Sequence, residues 1–187
     1  MLNILPYHYT KKDIKQLLKS LTILIDTREQ ENNHIIDYLE DKGIPYKSKK
    51  LEFGDYSFYL PADSELGIQR DIYFNPQMVI ERKGAGDINN GGGLNELSNN
   101  FTHDRTQFEN ELIRASNSKF ILLIENAKGY QDIIKHNYRT DYNPKSFIGT
   151  LHSFKHRYDM EVMFIDPAYS GNFIYYTFYY FLREVLK

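Results

Sequence analysis

The chain has no cysteine, which excludes a disulfide scaffold and a cysteine-ligated zinc site and suits a reducing compartment. It also lacks an excess of positive charge: 23 Lys and Arg against 25 Asp and Glu give a formal net charge of -2. A protein that grips nucleic acid through its phosphates alone should be basic, so the balance weighs against a plain binding module of that kind. It weighs little against a protein whose carboxylates hold cations, because the cation then supplies the positive charge. Long apolar runs are missing too. The most apolar stretch, residues 173–182, is dense in tyrosine and falls short of the ~20 residues a membrane-spanning helix needs. With no charged-then-apolar leader pattern, a cytoplasmic protein without a membrane partner is expected.

No repeat and no long linker divides the chain, so its 187 residues are expected to form a single domain over 1–187, with residues 1–20 as an N-terminal helical extension. Thr10 and Asp13 resemble a capping box ahead of Ile14, Leu17, Leu18 and Leu21 at helical spacing. Residues 21–25 read as a buried strand ending at Asp26. Residues 33–42 read as a helix stopped by Gly43, and 46–51 and 55–60 as strands. Residues 61–76 read as a hairpin or loop, and 78–80 as a short strand. The Gly- and Asn-rich stretch 84–100 reads as a mobile loop with at most a short helical turn. Beyond it come a helix over about 102–115 and an apolar strand at 120–124. A helix started by Asn143 and Pro144, a strand at 161–165 and a last helix from Ser170 complete the pattern. Strands alternating with helices predict an α/β fold with a central mixed sheet flanked by helices.

Acidic residues stand where these strands end or bend. Asp26 closes the first strand and Glu29 lies three residues on; Asp55 follows Gly54; Glu81 ends the strand that begins at Met78. A carboxylate beside an apolar segment needs a partner or a metal, and a hard cation such as Mg²⁺ takes oxygen ligands of this kind. Lys83 is two residues from Glu81, so in an extended segment both side chains leave the same face while Arg82 points away. A carboxylate on a metal beside an ammonium suits phosphodiester hydrolysis: the metal polarises the phosphoryl oxygen and the lysine offsets developing charge or orients water. The spacing alone equally fits solvated or salt-bridged carboxylates at a sheet edge.

The order Gly54-Asp55, then Glu81-Arg82-Lys83-x-x-x-Asp87, resembles the GD…ERKxxxD signature of the ERCC4-type nuclease family, the XPF and Mus81 group. The segment Ile23-Leu24-Ile25-Asp26-Thr27-Arg28-Glu29 resembles the family's upstream acidic strand, and the likeness runs from about residue 22 to residue 165. The resemblance implies a restriction-endonuclease-like core, dependence on Mg²⁺ or Mn²⁺, and cleavage of branched or flapped DNA in recombination, repair or phage DNA metabolism. It implies Asp55, Glu81 and Asp26 as metal ligands, Lys83 as the catalytic lysine, Glu29 as a further acidic residue of the site, and Arg82 and Asp87 as supporting residues.

Two departures qualify the likeness. Family members that cut branched DNA usually carry a helix-hairpin-helix domain after the core, and few residues follow 165 here, so that domain is not expected. The helix after Arg105 carries Glu109 and Glu111 where eukaryotic members favour Gln, which looks closer to stand-alone bacterial and phage members. Candidate contacts to DNA are Arg28, Arg105, Lys49 and Lys50, although the Lys-rich segment 42–50 reads as readily as a solvated strand edge. His152 and His156 lie one helical turn apart without a third ligand. Gly91-Gly92-Gly93 lacks the Lys-Ser/Thr of a phosphate loop. The Tyr-rich last helix reads as a core helix or as the aromatic face of a homodimer. A non-catalytic DNA-binding module of the same fold is the alternative, and the presence of Asp26, Asp55, Glu81 and Lys83 counts against it.

Overall fold

The structure is a computed structural model that describes residues 9–84, 86 and 90–187. Helix α1 (Lys11–Ser20) starts at the expected capping box: the Thr10 hydroxyl accepts from Asp13 N–H while the Asp13 carboxylate accepts from Thr10 N–H. It is followed by β1 (Thr22–Ile25), α2 (Asn33–Asp41), β2 (Tyr46–Ser48) and β3 (Tyr56–Leu60). A single 3-10 turn and the two-residue β4 (Ile72–Tyr73) fill the predicted hairpin region before β5 (Met78–Lys83). Then come α3 (Gly93–Phe101), α4 (Arg105–Arg114), β6 (Lys119–Glu125), α5 (Tyr130–Lys135), α6 (Pro144–Arg157), β7 (Glu161–Ile165) and α7 (Ser170–Val185).

The strands form one mixed sheet in the order β2-β1-β3-β5-β6-β7, with β4 on the far half of β3. β3 runs antiparallel to both β1 and β5, whereas β5, β6 and β7 are mutually parallel. The C-terminal ends of β1, β5 and β6 therefore meet the start of β3 along one edge. Period-two alternation sends the apolar side chains of each strand to two separate cores. Ile23, Phe58, Ile80 and Ile121 pack with Leu17, Ile35 and Phe178 from α1, α2 and α7. Val79, Leu122 and Ile124 pack with Leu97, Phe108 and Phe154 from α3, α4 and α6. Among the described residues no helix is long and apolar enough to cross a membrane.

Three expectations change. The stretch 84–100 contains α3, which buries Leu94, Leu97 and Phe101 at helical spacing. Its glycines and asparagines are poor helix formers, and tertiary burial outweighs their propensity. β5 runs on through Glu81, Arg82 and Lys83, all buried, which a hydropathy pattern reads as the end of a strand. β2 stops at Ser48, with Lys49 N–H making the last bond to β1, at 2.9 Å from Ile25 O. Along α7, Ile174, Phe178 and Leu182 are buried, while Tyr176 and Tyr180 are 42% and 51% exposed.

Candidate active site

Gly54 sets the geometry of the sheet edge. Its φ of 71° belongs to the left-handed region, and an added Cβ would lie 2.9 Å from the Cβ of Val79. This tight approach lets Asp55 join two strands: Asp55 N–H donates to Ile80 O at 2.9 Å, and Asp55 O accepts from Asp26 N–H at 2.8 Å. Beyond that point β3 and β5 part. The opening is capped by the Asp55 carboxylate, whose Oδ2 accepts from Arg82 N–H at 2.8 Å. From α4, Glu111 accepts from Gly54 N–H at 3.0 Å and fixes the other side of the turn.

On β5, Glu81 and Lys83 leave the same face. Lys83 Nζ donates to Glu81 Oε1 at 2.7 Å and to Glu96 Oε1 at 3.1 Å, and lies 5.3 Å from the centre of the Phe108 ring. Arg82 takes the opposite face. It donates to Glu29, to Glu125 Oε2 at 2.9 Å and to Gln30 O at 2.9 Å. Glu29 also accepts from Tyr56 Oη at 2.9 Å. Glu125, at the end of β6, accepts from Ser170 Oγ at 2.7 Å and lies 2.7 Å from His34 Nε2.

The electrostatics separate the carboxylates. Burial, then the charges of Glu81 and Glu29, push the Asp55 carboxyl well above its usual range. Burial pushes Glu81 up to about 7 despite the adjacent Lys83, with Glu111 and Glu96 adding to the rise. Burial alone would discharge Lys83, but the charges of Glu81, Glu96 and Asp55 hold its ammonium above the ordinary lysine value. The lysine is therefore a fixed cation at neutral pH rather than a proton acceptor. Two crowded carboxylates that resist ionisation next to such a cation are the pattern of a site built to receive further positive charge. They open onto a polar cleft of about 1020 Å³, whose walls also carry Glu29, Arg28, Glu96 and Arg139.

The residues fit a hard cation in a specific way. Among the described residues, no three His, Asp or Glu side chains group as a cage. Mg²⁺ does not require one: it is held by one or two carboxylates, with water and phosphate oxygens completing the set. Asp55 and Glu81 could supply that pair, and a bound cation would offset the electrostatic cost that raises their pKa values. Asp26 stands apart. Its Oδ1 accepts from Arg28 N–H at 2.8 Å and from Arg28 Nε at 2.7 Å, and its Oδ2 accepts from Leu51 N–H at 2.6 Å. Burial works to raise its pKa, but these bonds and the Arg28 charge leave it below the usual value.

The family model described as ERCC4 domain matches residues 25–177. The chain belongs to the ERCC4 domain family. The fold of this ERCC4 domain is that of the XPF nuclease, a restriction-endonuclease-like core. It is similar to the solved structure of XPF from Aeropyrum pernix, with 15% identity and a TM-score of 0.50 over 88% of this chain and 63% of that one. It is also similar to XPF from Aeropyrum pernix in complex with DNA, with 17% identity and a TM-score of 0.55 over 87% of this chain and 65% of that one. The chain thus spans less than two thirds of the length of these structures. No curated protein matches it.

Within the ERCC4 domain, the structure brings Asp55, Glu81, Glu29 and Arg82 to the cleft wall, with the buried Lys83 bonded to Glu81. Asp87 lies outside the described residues. Arg28 lines the cleft. Arg105 instead pairs with Glu109 at 3.2 Å and lies over the Phe154 ring, away from the cleft. Lys49 lies over the Tyr73 ring and Lys50 is exposed; neither lines the cleft. Sequence reasoning missed Glu96 and Glu125. Glu125 ends an apolar strand, the same signal that singled out Asp26 and Glu81. Glu96 was hidden in a stretch whose Leu94, Leu97 and Phe101 spacing is the only trace of its helix.

Proposed function

We propose that this ERCC4 domain is a Mg²⁺- or Mn²⁺-dependent endonuclease that hydrolyses phosphodiester bonds of DNA, selecting branched, flapped or forked forms. The observation that carries the reading is the half-buried Asp55 and the buried Glu81, two carboxylates with raised pKa, beside the Lys83 ammonium that donates to Glu81. DNA as substrate is supported by the family and by the likeness to XPF from Aeropyrum pernix in complex with DNA. Asp55 and Glu81 would hold the metal, which when bound polarises the scissile phosphate and acidifies a water molecule. Arg82 N–H keeps Asp55 Oδ2 oriented. Lys83 presents its charge where negative charge develops on the phosphate. Arg28 and Arg139, on the cleft walls, are placed to meet neighbouring phosphates. Asp26 and Glu29 support the site, Asp26 from outside the cleft by holding the loop to Leu51 and Glu29 from its wall by anchoring Arg82.

The test is cleavage of labelled duplex, flap and fork DNA with Mg²⁺, with Mn²⁺ and with EDTA. The parent is expected to cut with either metal and not with EDTA. Glu81→Ala and Asp55→Asn should abolish cutting, and Lys83→Met should slow it by about 10²- to 10³-fold, the scale of losing one electrostatic stabiliser. A Glu81→Ala variant that cuts as fast as the parent sinks the reading, and equal cutting of duplex and fork removes the structure selectivity.

A further inference from the structure

The run Gly91-Gly92-Gly93 has a structural use that phosphate binding does not explain. An added Cβ on Gly93 would lie 2.3 Å from Lys83 O and 3.1 Å from Glu125 N. Gly92 and Gly91 have φ of 52° and 97°, and an added Cβ on Gly91 would lie 2.7 Å from Tyr138 Cα. Side chains at these positions would lift α3 off the ends of β5 and β6. With glycines there, the helix starts directly against the backbone of Lys83, and Glu96, three residues past Gly93, turns back onto it. Its Oε1 accepts from Lys83 Nζ at 3.1 Å and its Oε2 from Gly84 N–H at 3.0 Å. Both oxygens are thus committed to the end of β5, although the side chain is 48% exposed on the cleft wall.

Lys83 is only 4% exposed, and its nearer partner is Glu81, the residue read above as a metal ligand. An oxygen drawn onto a cation is a poorer acceptor for an ammonium, and a buried ammonium without a partner is costly. We infer that Glu96 is a positioning residue: it holds the Lys83 ammonium at the cleft when Glu81 is turned to the metal, and the glycine run exists to bring it there. The role of Glu81 in this inference rests on the nuclease reading; the hold of Glu96 on Lys83 does not.

Two measurements test it. The first uses the metal-free protein and needs no activity. The Lys83 ammonium, assigned with Lys83→Met, gives a slowly exchanging ¹⁵Nζ signal in NMR while it is held. Replacing Glu81 by leucine removes the nearer acceptor. The signal is expected to persist in Glu81→Leu and to vanish in Glu81→Leu/Glu96→Gln, with both variants folded by their backbone spectra. Persistence in the double variant, or loss already in Glu81→Leu, overturns the inference. The second is a double-mutant cycle on cleavage. Glu96→Gln keeps an acceptor for Gly84 N–H and should lower kcat about tenfold, the worth of one charge-assisted hydrogen bond, with KM within about twofold. In a Lys83→Met background the same substitution should change nothing further. Equal losses in both backgrounds show that Glu96 does not act through Lys83. A parent that cuts no DNA but shows the expected NMR pattern sinks the nuclease reading and leaves the positioning role standing.

Discussion

At the scale of single residues, the site is a local defect in stability. Burial raises the Glu81 carboxyl from its ordinary 4.5 to about 7, so between those values the folded chain binds a proton that the unfolded chain has released. The contribution is fully present below about 4.5 and is lost as pH rises through about 7. In EDTA, the unfolding free energy should therefore fall across this window by up to a few kcal/mol, and the fall should be shallower in Glu81→Gln. Added Mg²⁺ should restore stability on the alkaline side. Urea midpoints at several pH values measure both; an identical slope in Glu81→Gln contradicts the assignment. Gly54 is constrained differently. With φ at 71° and Val79 within 2.9 Å of an added Cβ, Gly54→Ala is expected to cost about 1–3 kcal/mol and to displace Asp55, so cleavage should fall more than folding does. At this scale the Gly-Asp and Glu-Arg-Lys motifs were readable because Gly is needed for its backbone and because period two separates Glu81 and Lys83 from Arg82. The partners that pin them were not, since Glu96 and Glu111 reach the site from helices whose placement only the fold decides.

At the scale of elements, Arg82 and Glu125 form the joint. Glu125 ends β6 and receives Arg82 from β5, Ser170 from the first turn of α7 and His34 from α2. Four elements thus converge on one carboxylate. Burial works to raise it, but bonds from His34 and Ser170 and the charge of Arg82 bring it down to about 2. A depressed carboxylate contributes stability that is present above its unfolded value near 4.5 and is lost as pH falls toward about 2. Removing it leaves the buried Arg82 with Glu29 as its one remaining salt-bridge partner among the described residues, so Glu125→Ala should cost about 3–5 kcal/mol and should flatten the acid limb of the stability curve. Thermal or urea unfolding at pH 7 and pH 3 distinguishes this from a surface pair, for which both changes would be near zero. The elements themselves were mostly legible: a capping box, a Pro at a helix start and continuous apolar runs mark α1, α6 and β6. α3 was not, because its Gly and Asn content points to a loop while Leu94, Leu97 and Phe101 bury it as a helix.

At the scale of the whole molecule, the sheet brings Asp55 and Glu81 to one edge, and the net charge of the chain is -2. Such a chain has little general attraction for DNA, so on the nuclease reading contact would be concentrated at the cleft, through a bound metal and through Arg28 and Arg139. The slope of log affinity against log salt is about 0.9 per phosphate neutralised. Two or three contacts then predict a slope of about -2 to -3 for a labelled fork bound in the presence of Ca²⁺. Chelation with EDTA should weaken binding at every salt concentration, because without a cation the acidic Asp55 and Glu81 face the phosphate directly. Fluorescence anisotropy over a salt series measures both effects. A slope near -6, unchanged by EDTA, would place the DNA elsewhere. A basic surface for it is α1, where Lys11, Lys12, Lys15 and Lys19 are exposed. That helix ends at the start of β1, at the opposite side of the sheet from Asp26. DNA held on α1 should give that steeper slope without dependence on the metal, so this one titration distinguishes binding at the acidic cleft from binding at the basic helix.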